Sequence, residues 1–157
     1  MIKLFVLPII LFGSSASTVT ASDEREVKAI TKKITEFVAG MARGEVDASS
    51  VADKPIIAYS SGGMWEYMNR QEFIVSMTEG PRLVAKAYHI NVRLLGGAKD
   101  VAYASYYLSG NIMQDDKVVV VDYRTRISQV FHKEGKNWVI IATHASPLFG
   151  GSGVPAN

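Results

Sequence analysis

The chain has no cysteine, no marked excess of either charge, and no apolar run long enough to cross a membrane as a helix, and each lack narrows what it can do. Without cysteine there is no disulfide in any compartment, no thiolate metal ligand and no thiol nucleophile, so packing alone must hold the fold. With 17 Lys and Arg against 15 Asp and Glu, interspersed along the chain, the formal charge of +2 does not make an electrostatic nucleic-acid binder. The apolar run Leu4 to Phe12 has 9 residues, whereas a membrane-spanning helix needs about 20. Glycine-rich phosphate loops, haem attachment pairs and calcium loops are all missing, so no cofactor is implied. His89 and His132 lack an acidic or histidine partner at ligand spacing, which argues against a metal site.

What is present begins with an export pattern. Lys3 precedes the apolar run, and the small residues around Val19-Thr20-Ala21 suit a signal peptidase, so residues 1–21 read as a signal peptide cut after Ala21. This predicts a secreted or periplasmic protein of 136 residues, near the common size of one domain, with no membrane contact after the signal is removed. The domain should span residues 22–148, followed by a Gly/Ser/Pro-rich tail, 149–157, expected to be flexible.

From Asp23, the apolar positions Val27, Ile30, Ile34, Phe37, Val38 and Met41 recur three or four apart between lysines and glutamates, the pattern of a long amphipathic helix. Ser22 or Asp23 would cap its start, and Gly40 and Gly44 would loosen or end its last turn. A short helical segment is expected through Ala52. Two short strands should follow, Ile56 to Tyr59 and Met64 to Tyr67, around a Gly62-Gly63 turn. Asn69 with Glu72 has capping-box spacing and opens a second helix that Gly80-Pro81 stops. Four long strands then follow, Leu83 to Leu95, Val101 to Met113, Val118 to Lys133 and Asn137 to Ser146, with separators short enough for antiparallel hairpins. On the third of these, Val119, Val121, Tyr123, Thr125, Ile127, Gln129 and Phe131 alternate with Asp122, Arg124, Arg126, Ser128 and His132, so helices must cover one face. Helices first and a meander afterwards predict an α+β fold with helices on one side of a curved sheet.

This order resembles the nuclear transport factor 2-like superfamily. The closing stretch Phe131-His-Lys-Glu-Gly-Lys-Asn-Trp138, with His144 and Ser146 six and eight residues after the tryptophan, resembles the end of SnoaL-like domains of unknown function and of the calcium/calmodulin-dependent kinase association domain. Asn91-Val-Arg-Leu-Leu-Gly96 before Val101-Ala-Tyr103 looks like a hairpin of the association domain, and Ala42-Arg-Gly44-Glu-Val-Asp47 like the turn ending the first helix in many members. The resemblance implies a cone-shaped fold, a long N-terminal helix and shorter helices packed on a strongly curved, mostly antiparallel sheet. It does not choose a function, because the superfamily includes ketosteroid isomerase, polyketide cyclases and dehydratases, transport adaptors and oligomeric hubs.

The residues lean away from catalysis. Alignment with the isomerase puts its base near Ala58 or Tyr59, and no carboxylate lies between Asp53 and Glu66. Asp47 and Asp53 read as caps or solvated acids, and Ser146 has no nucleophile setting. His144 is the sharpest single candidate: simple alternation puts Trp138, Ile140, Ala142 and Ser146 on its face, so it is either an imidazole presented to a cavity or a structural histidine. Tyr59, Trp65, Tyr103 and Tyr123 belong to a set of aromatics with polar tips that suits a ligand cavity, an ordinary core or a dimer face. Where the association domain uses arginines for carboxylate ligands, the resemblance places Ser105 and Ser128, which leaves Arg93 as the cation for an acidic ligand while Arg124 and Arg126 fall on the outer face. Tyr106, Leu108, Val118, Val120 and Val130 are expected to form a surface for a homodimer or larger homo-oligomer. The sequence thus supports an exported domain that binds a small molecule or assembles with itself. The alternative is an isomerase, cyclase or dehydratase acting on a hydrophobic carbonyl compound, with His144 as general acid/base and Tyr59 or Tyr103 as donor.

Overall fold

A computed structural model describes residues 20–59 and 66–148, the side chain of Tyr59 excepted. The proposed signal segment up to residue 19, the Gly62-Gly63 turn, Trp65 and the tail from residue 149 lie outside the described residues.

The long helix α1 is Ala21–Arg43, and its buried stripe of Ile30, Ile34, Phe37, Val38 and Met41 follows the apolar periodicity. Its cap is Thr20, not Ser22 or Asp23. The Thr20 hydroxyl accepts from the Asp23 N–H at 3.2 Å while Asp23 accepts from the Thr20 N–H at 3.1 Å, because Asp23 has the right reach three residues into the helix. Gly44 ends the helix with a left-handed φ of 74°. The following chain folds back so closely that a Cβ on Gly40 would sit 2.1 Å from the Glu45 carbonyl oxygen. The expected helical segment shrinks to one 3-10 turn, Ala48–Ser50, capped by Asp47.

Strands β1 (Ile56–Tyr59) and β2 (Glu66–Met68) pair antiparallel, and helix α2 (Arg70–Thr78) opens on Asn69, whose side chain and that of Glu72 exchange bonds of 3.0 and 2.8 Å with each other's amides. The long strands β3 (Arg82–Leu95), β4 (Val101–Gln114), β5 (Lys117–Glu134) and β6 (Asn137–Pro147) form the antiparallel meander. The sheet order is β2-β1-β6-β5-β4-β3, with β1 and β6 its parallel neighbours.

One face of this sheet carries the core. Ala102, Ala104, Tyr106 and Leu108 of β4, and Thr125, Ile127, Gln129 and Phe131 of β5, are buried on the side of the helices. Phe73 of α2 stacks on Phe37 of α1, with ring centroids 6.3 Å apart. Each such large side chain contributes about 1.5–3 kcal/mol by leaving water. Three bonds fasten α1 to the meander: Lys99 to Asp23 at 2.6 Å, Lys133 to Glu26 at 2.8 Å, and the Trp138 indole N–H to Glu26 at 2.8 Å. The result is the cone-shaped α+β arrangement, helices on one face of a mostly antiparallel six-stranded sheet.

Two corrections follow from this packing. Tyr106 and Leu108 do not belong to an exposed association face; they are 4% and 2% exposed, because the even positions of β4 turn to the helices. Trp138 and Ile140 do not share a face with His144 either. Phe131 pairs with Ile140, but its neighbour Val130 pairs with Ala142, so Ile141 is an extra residue in β6. This bulge reverses the alternation, leaving Trp138 and Ile140 inside and His144 outside.

Candidate functional site

Between the inner face of the sheet and the two helices lies a cavity of about 320 Å³, at the small end of the range for ligand pockets. α1 supplies Phe37 and Met41, α2 supplies Phe73 and Met77, and the sheet supplies Leu108, Ile127 and Ala145, a lining that is largely apolar. The polar exception is built by alternation on adjacent strands. Tyr106 and Gln129 point inward from β4 and β5, and the tyrosine hydroxyl donates to Gln129 Oε1 at 3.0 Å with both side chains buried. Burial pushes the Tyr106 hydroxyl above its ordinary value of 10, so it stays protonated. Once Oε1 is engaged, the Gln129 NH₂ group has no protein partner among the described residues, and it is not sealed from the space around it. Thr125, Thr143 and Tyr123 add hydroxyls to the wall. Glu66 also lines the cavity; it is exposed, so it marks the open side, and it pairs across the strands with buried Ala58.

The opposite face of the sheet holds a second, shallower concavity of about 370 Å³, where Tyr103, Ser105, Ser128, His144 and Ser146 meet His89 and Arg126. Arg126 Nη2 reaches Ser146 Oγ at 3.4 Å. His89 sits in the left-handed region, φ 52°, at a register shift in β3, and its ring meets Tyr107 edge to face with centroids 6.1 Å apart.

The sequence-derived candidates are therefore divided. Tyr123 lines the inner cavity; Tyr103 and His144 line the outer concavity; Arg93 is exposed beside Tyr103 and lines neither. The backbone of Tyr59 pairs with that of His144, and Trp65 lies outside the described residues. Ser105 and Ser128 both face the outer concavity. Asp47 and Asp53 are local: Asp47 caps the 3-10 turn, its carboxyl held below the usual range first by the Ser49 hydroxyl and then by the Ser49 amide, and Asp53 pairs with Arg70 at 3.3 Å. Sequence reasoning missed Gln129 and Glu66 as cavity residues, and it held Tyr106 only within the general set of polar-tipped aromatics and on the association face. The available signal was Gln129 itself, a polar side chain inside the apolar alternation of β5. Among the described residues no group of three acids or histidines is placed to hold a metal ion.

No protein-family model and no curated protein matches the sequence. Solved structures do match. A candidate dehydratase of the nuclear transport factor 2-like family from Streptomyces avermitilis is 19% identical, with 81% of this chain and 99% of that one covered at a TM-score of 0.63. A candidate scytalone dehydratase from Novosphingobium aromaticivorans is 7% identical over 82% of this chain and 87% of its own, with a TM-score of 0.69. A calcium/calmodulin-dependent kinase II hub homology domain from Chlamydomonas reinhardtii is 15% identical over 79% of this chain and 99% of its own, with a TM-score of 0.62. At these identities the likeness is one of fold: the chain has the nuclear transport factor 2-like fold.

Proposed function

We propose that this chain is an exported binding domain for a small, mainly apolar molecule bearing an oxygen that accepts a hydrogen bond. The observation that carries the reading is the buried Tyr106–Gln129 pair in a largely apolar cavity, with the Gln129 NH₂ group free to donate. The NH₂ group opens to the cavity space, so a ligand carbonyl or ether oxygen that accepts from it gains about 0.5–1.5 kcal/mol and a fixed orientation. Self-association belongs to the same reading, and the kinase hub domain among the similar structures supports it. Export rests on the N-terminal pattern of Lys3, the apolar run and Ala21.

The test is calorimetric titration with a panel of small cyclic ketones and their hydrocarbon counterparts. Ketones should bind more tightly than the hydrocarbons, and Gln129→Leu should remove that preference. Equal affinities for both sets in the unaltered protein contradict the reading.

Glu66 favours a second reading, in which the same cavity moves a proton on a hydrophobic carbonyl compound. It lies directly across from Ala58, where the isomerase resemblance places a base, so a carboxylate reaches the cavity from the neighbouring strand. The two candidate dehydratases among the similar structures are consistent with this. His144, on the far face of the sheet, is not the acid/base of that reading. Glu66→Gln separates the readings once a ligand is found, since an enzyme loses turnover at unchanged affinity and a binder loses nothing.

A further inference from the structure

Beyond Asp122 the strands β4 and β5 continue as a ribbon whose valines have no cover. Val118, Val119, Val120 and Val121 are 46%, 52%, 40% and 75% exposed, so side chains directed to both faces of the ribbon meet water. One edge is open as well. Strand β6 leaves β5 at the Thr125–Pro147 pair, with a last bond from the Leu148 N–H to the Arg124 carbonyl at 2.8 Å. From Lys117 to Tyr123, β5 therefore has β4 on one side and no strand on the other among the described residues.

The segment is Lys117-Val-Val-Val-Val-Asp122, which is charge-complementary to itself when run antiparallel. With the two-fold axis between Val119 and Val120, Val118 lies opposite Val121 of a second copy and Lys117 lies opposite Asp122. Lys117 makes no ion pair among the described residues. Asp122 is held by Arg124 through bonds of 3.0 and 2.8 Å, which fixes its carboxylate. Arg82 to Asp116, at 2.8 Å, ties the ribbon tip back to β3 and braces it.

We propose that two copies of this chain associate by antiparallel pairing of their Lys117–Asp122 edges. This rests on the self-association in the preceding reading and names its surface. An exposed apolar strand edge is a template for another strand, because its backbone groups and its side chains both gain by pairing. Irregularities within the segment and at its last residue limit the match. The register with β4 shifts at Val119 and again before Tyr123, and Asp122 is in the left-handed region at φ 54°. Such bulges twist an edge away from continued pairing, so the contact closes as a pair instead of growing along the strand.

Sedimentation equilibrium over a hundredfold concentration range tests the proposal. The unaltered chain should show a reversible monomer–dimer equilibrium. Val119→Lys/Val121→Lys, at exposed positions that leave the fold intact, should weaken it at least tenfold, while Tyr107→Arg on the broad outer face should not change it. Because the chain has no cysteine, an equimolar mixture of Val119→Cys and Val120→Cys, which this register places opposite each other, should give a disulfide-linked dimer under mild oxidation, and Lys136→Cys, in the β5–β6 turn, should not. A monomer at every concentration overturns both the association and its surface. A dimer that survives the double lysine variant but dissolves with Tyr107→Arg overturns the surface and leaves the association standing.

Discussion

Replacing Glu26 by Ala should destabilise the fold by about 2–3 kcal/mol, far more than a surface carboxylate usually contributes. Glu26 bonds to two groups on the meander. The Trp138 indole N–H, 2.8 Å away, belongs to a side chain only 2% exposed, and without its acceptor it becomes a buried donor with no partner, a cost of about 1–3 kcal/mol. The Lys133 ammonium, also at 2.8 Å, is one-quarter exposed and screened, which sets its share at about 0–1 kcal/mol. For a domain of this size each kcal/mol lowers the melting temperature by roughly 3–5 °C, so Glu26→Ala should lose about 6–15 °C in a calorimetric melt. Lys133→Ala should lose only a few degrees. In a Trp138→Phe background, where the donor is already gone, Glu26→Ala should cost no more than the Lys133 share. Equal losses in both backgrounds would show that the indole bond does not carry the coupling between α1 and β6, and the reasoning would be refuted.

The other expectations concern the same contacts and the cavity. The Glu26 carboxyl is held below its ordinary 4.5, first by Lys133 and then by the Trp138 indole, so its stabilisation is present above that pH and is lost as pH falls through the folded value. Urea midpoints of the unaltered protein should accordingly drop below pH 4.5 more steeply than those of Glu26→Gln. Gly110→Ala should cost about 1–3 kcal/mol, since a Cβ there would lie 2.1 Å from the Val84 carbonyl oxygen and must part β3 from β4; an unchanged melting temperature would count against that close approach. Gln129→Leu alone should destabilise by about 1–3 kcal/mol by stranding the Tyr106 hydroxyl, and adding Tyr106→Phe should recover most of the loss; additive losses would mean that the pair is not mutually satisfied. If the export signal is cut after Ala21, terminal sequencing of the released protein should begin at Ser22, and the Thr20 capping box is then replaced by a free amine at a cost of about 1 kcal/mol.

The fold was readable where local chemistry and global packing agree. The α1 stripe, the Asn69–Glu72 box and the four long strands all emerge from periodicity and turn composition, with boundaries shifted by a residue or so. The cap of α1 was misplaced by two or three residues because Thr20, Ser22 and Asp23 all have capping side chains, and only the geometry shows that Asp23 answers Thr20. The site was less legible. An extra residue at Ile141 has no signature in a run of Val, Ile and Ala, yet it moves His144 to the far face from Trp138. On β4 both alternating sets mix tyrosine with small residues, so pattern alone could not tell that Tyr106 turns inward while Tyr103 and Tyr107 remain 40% and 43% exposed. Gln129 was visible as an anomaly on the apolar side of β5, but its partner is 23 residues away in sequence, and only strand pairing brings them together.

Native mass spectrometry of the protein recovered from its own host tests the ligand-binding claim most directly, run beside Ala145→Phe, which fills the cavity wall. A small bound mass on the unaltered chain that disappears from the filled variant is the predicted result. A bound mass retained by the filled variant would place the ligand elsewhere and contradict the assignment of the Tyr106–Gln129 cavity.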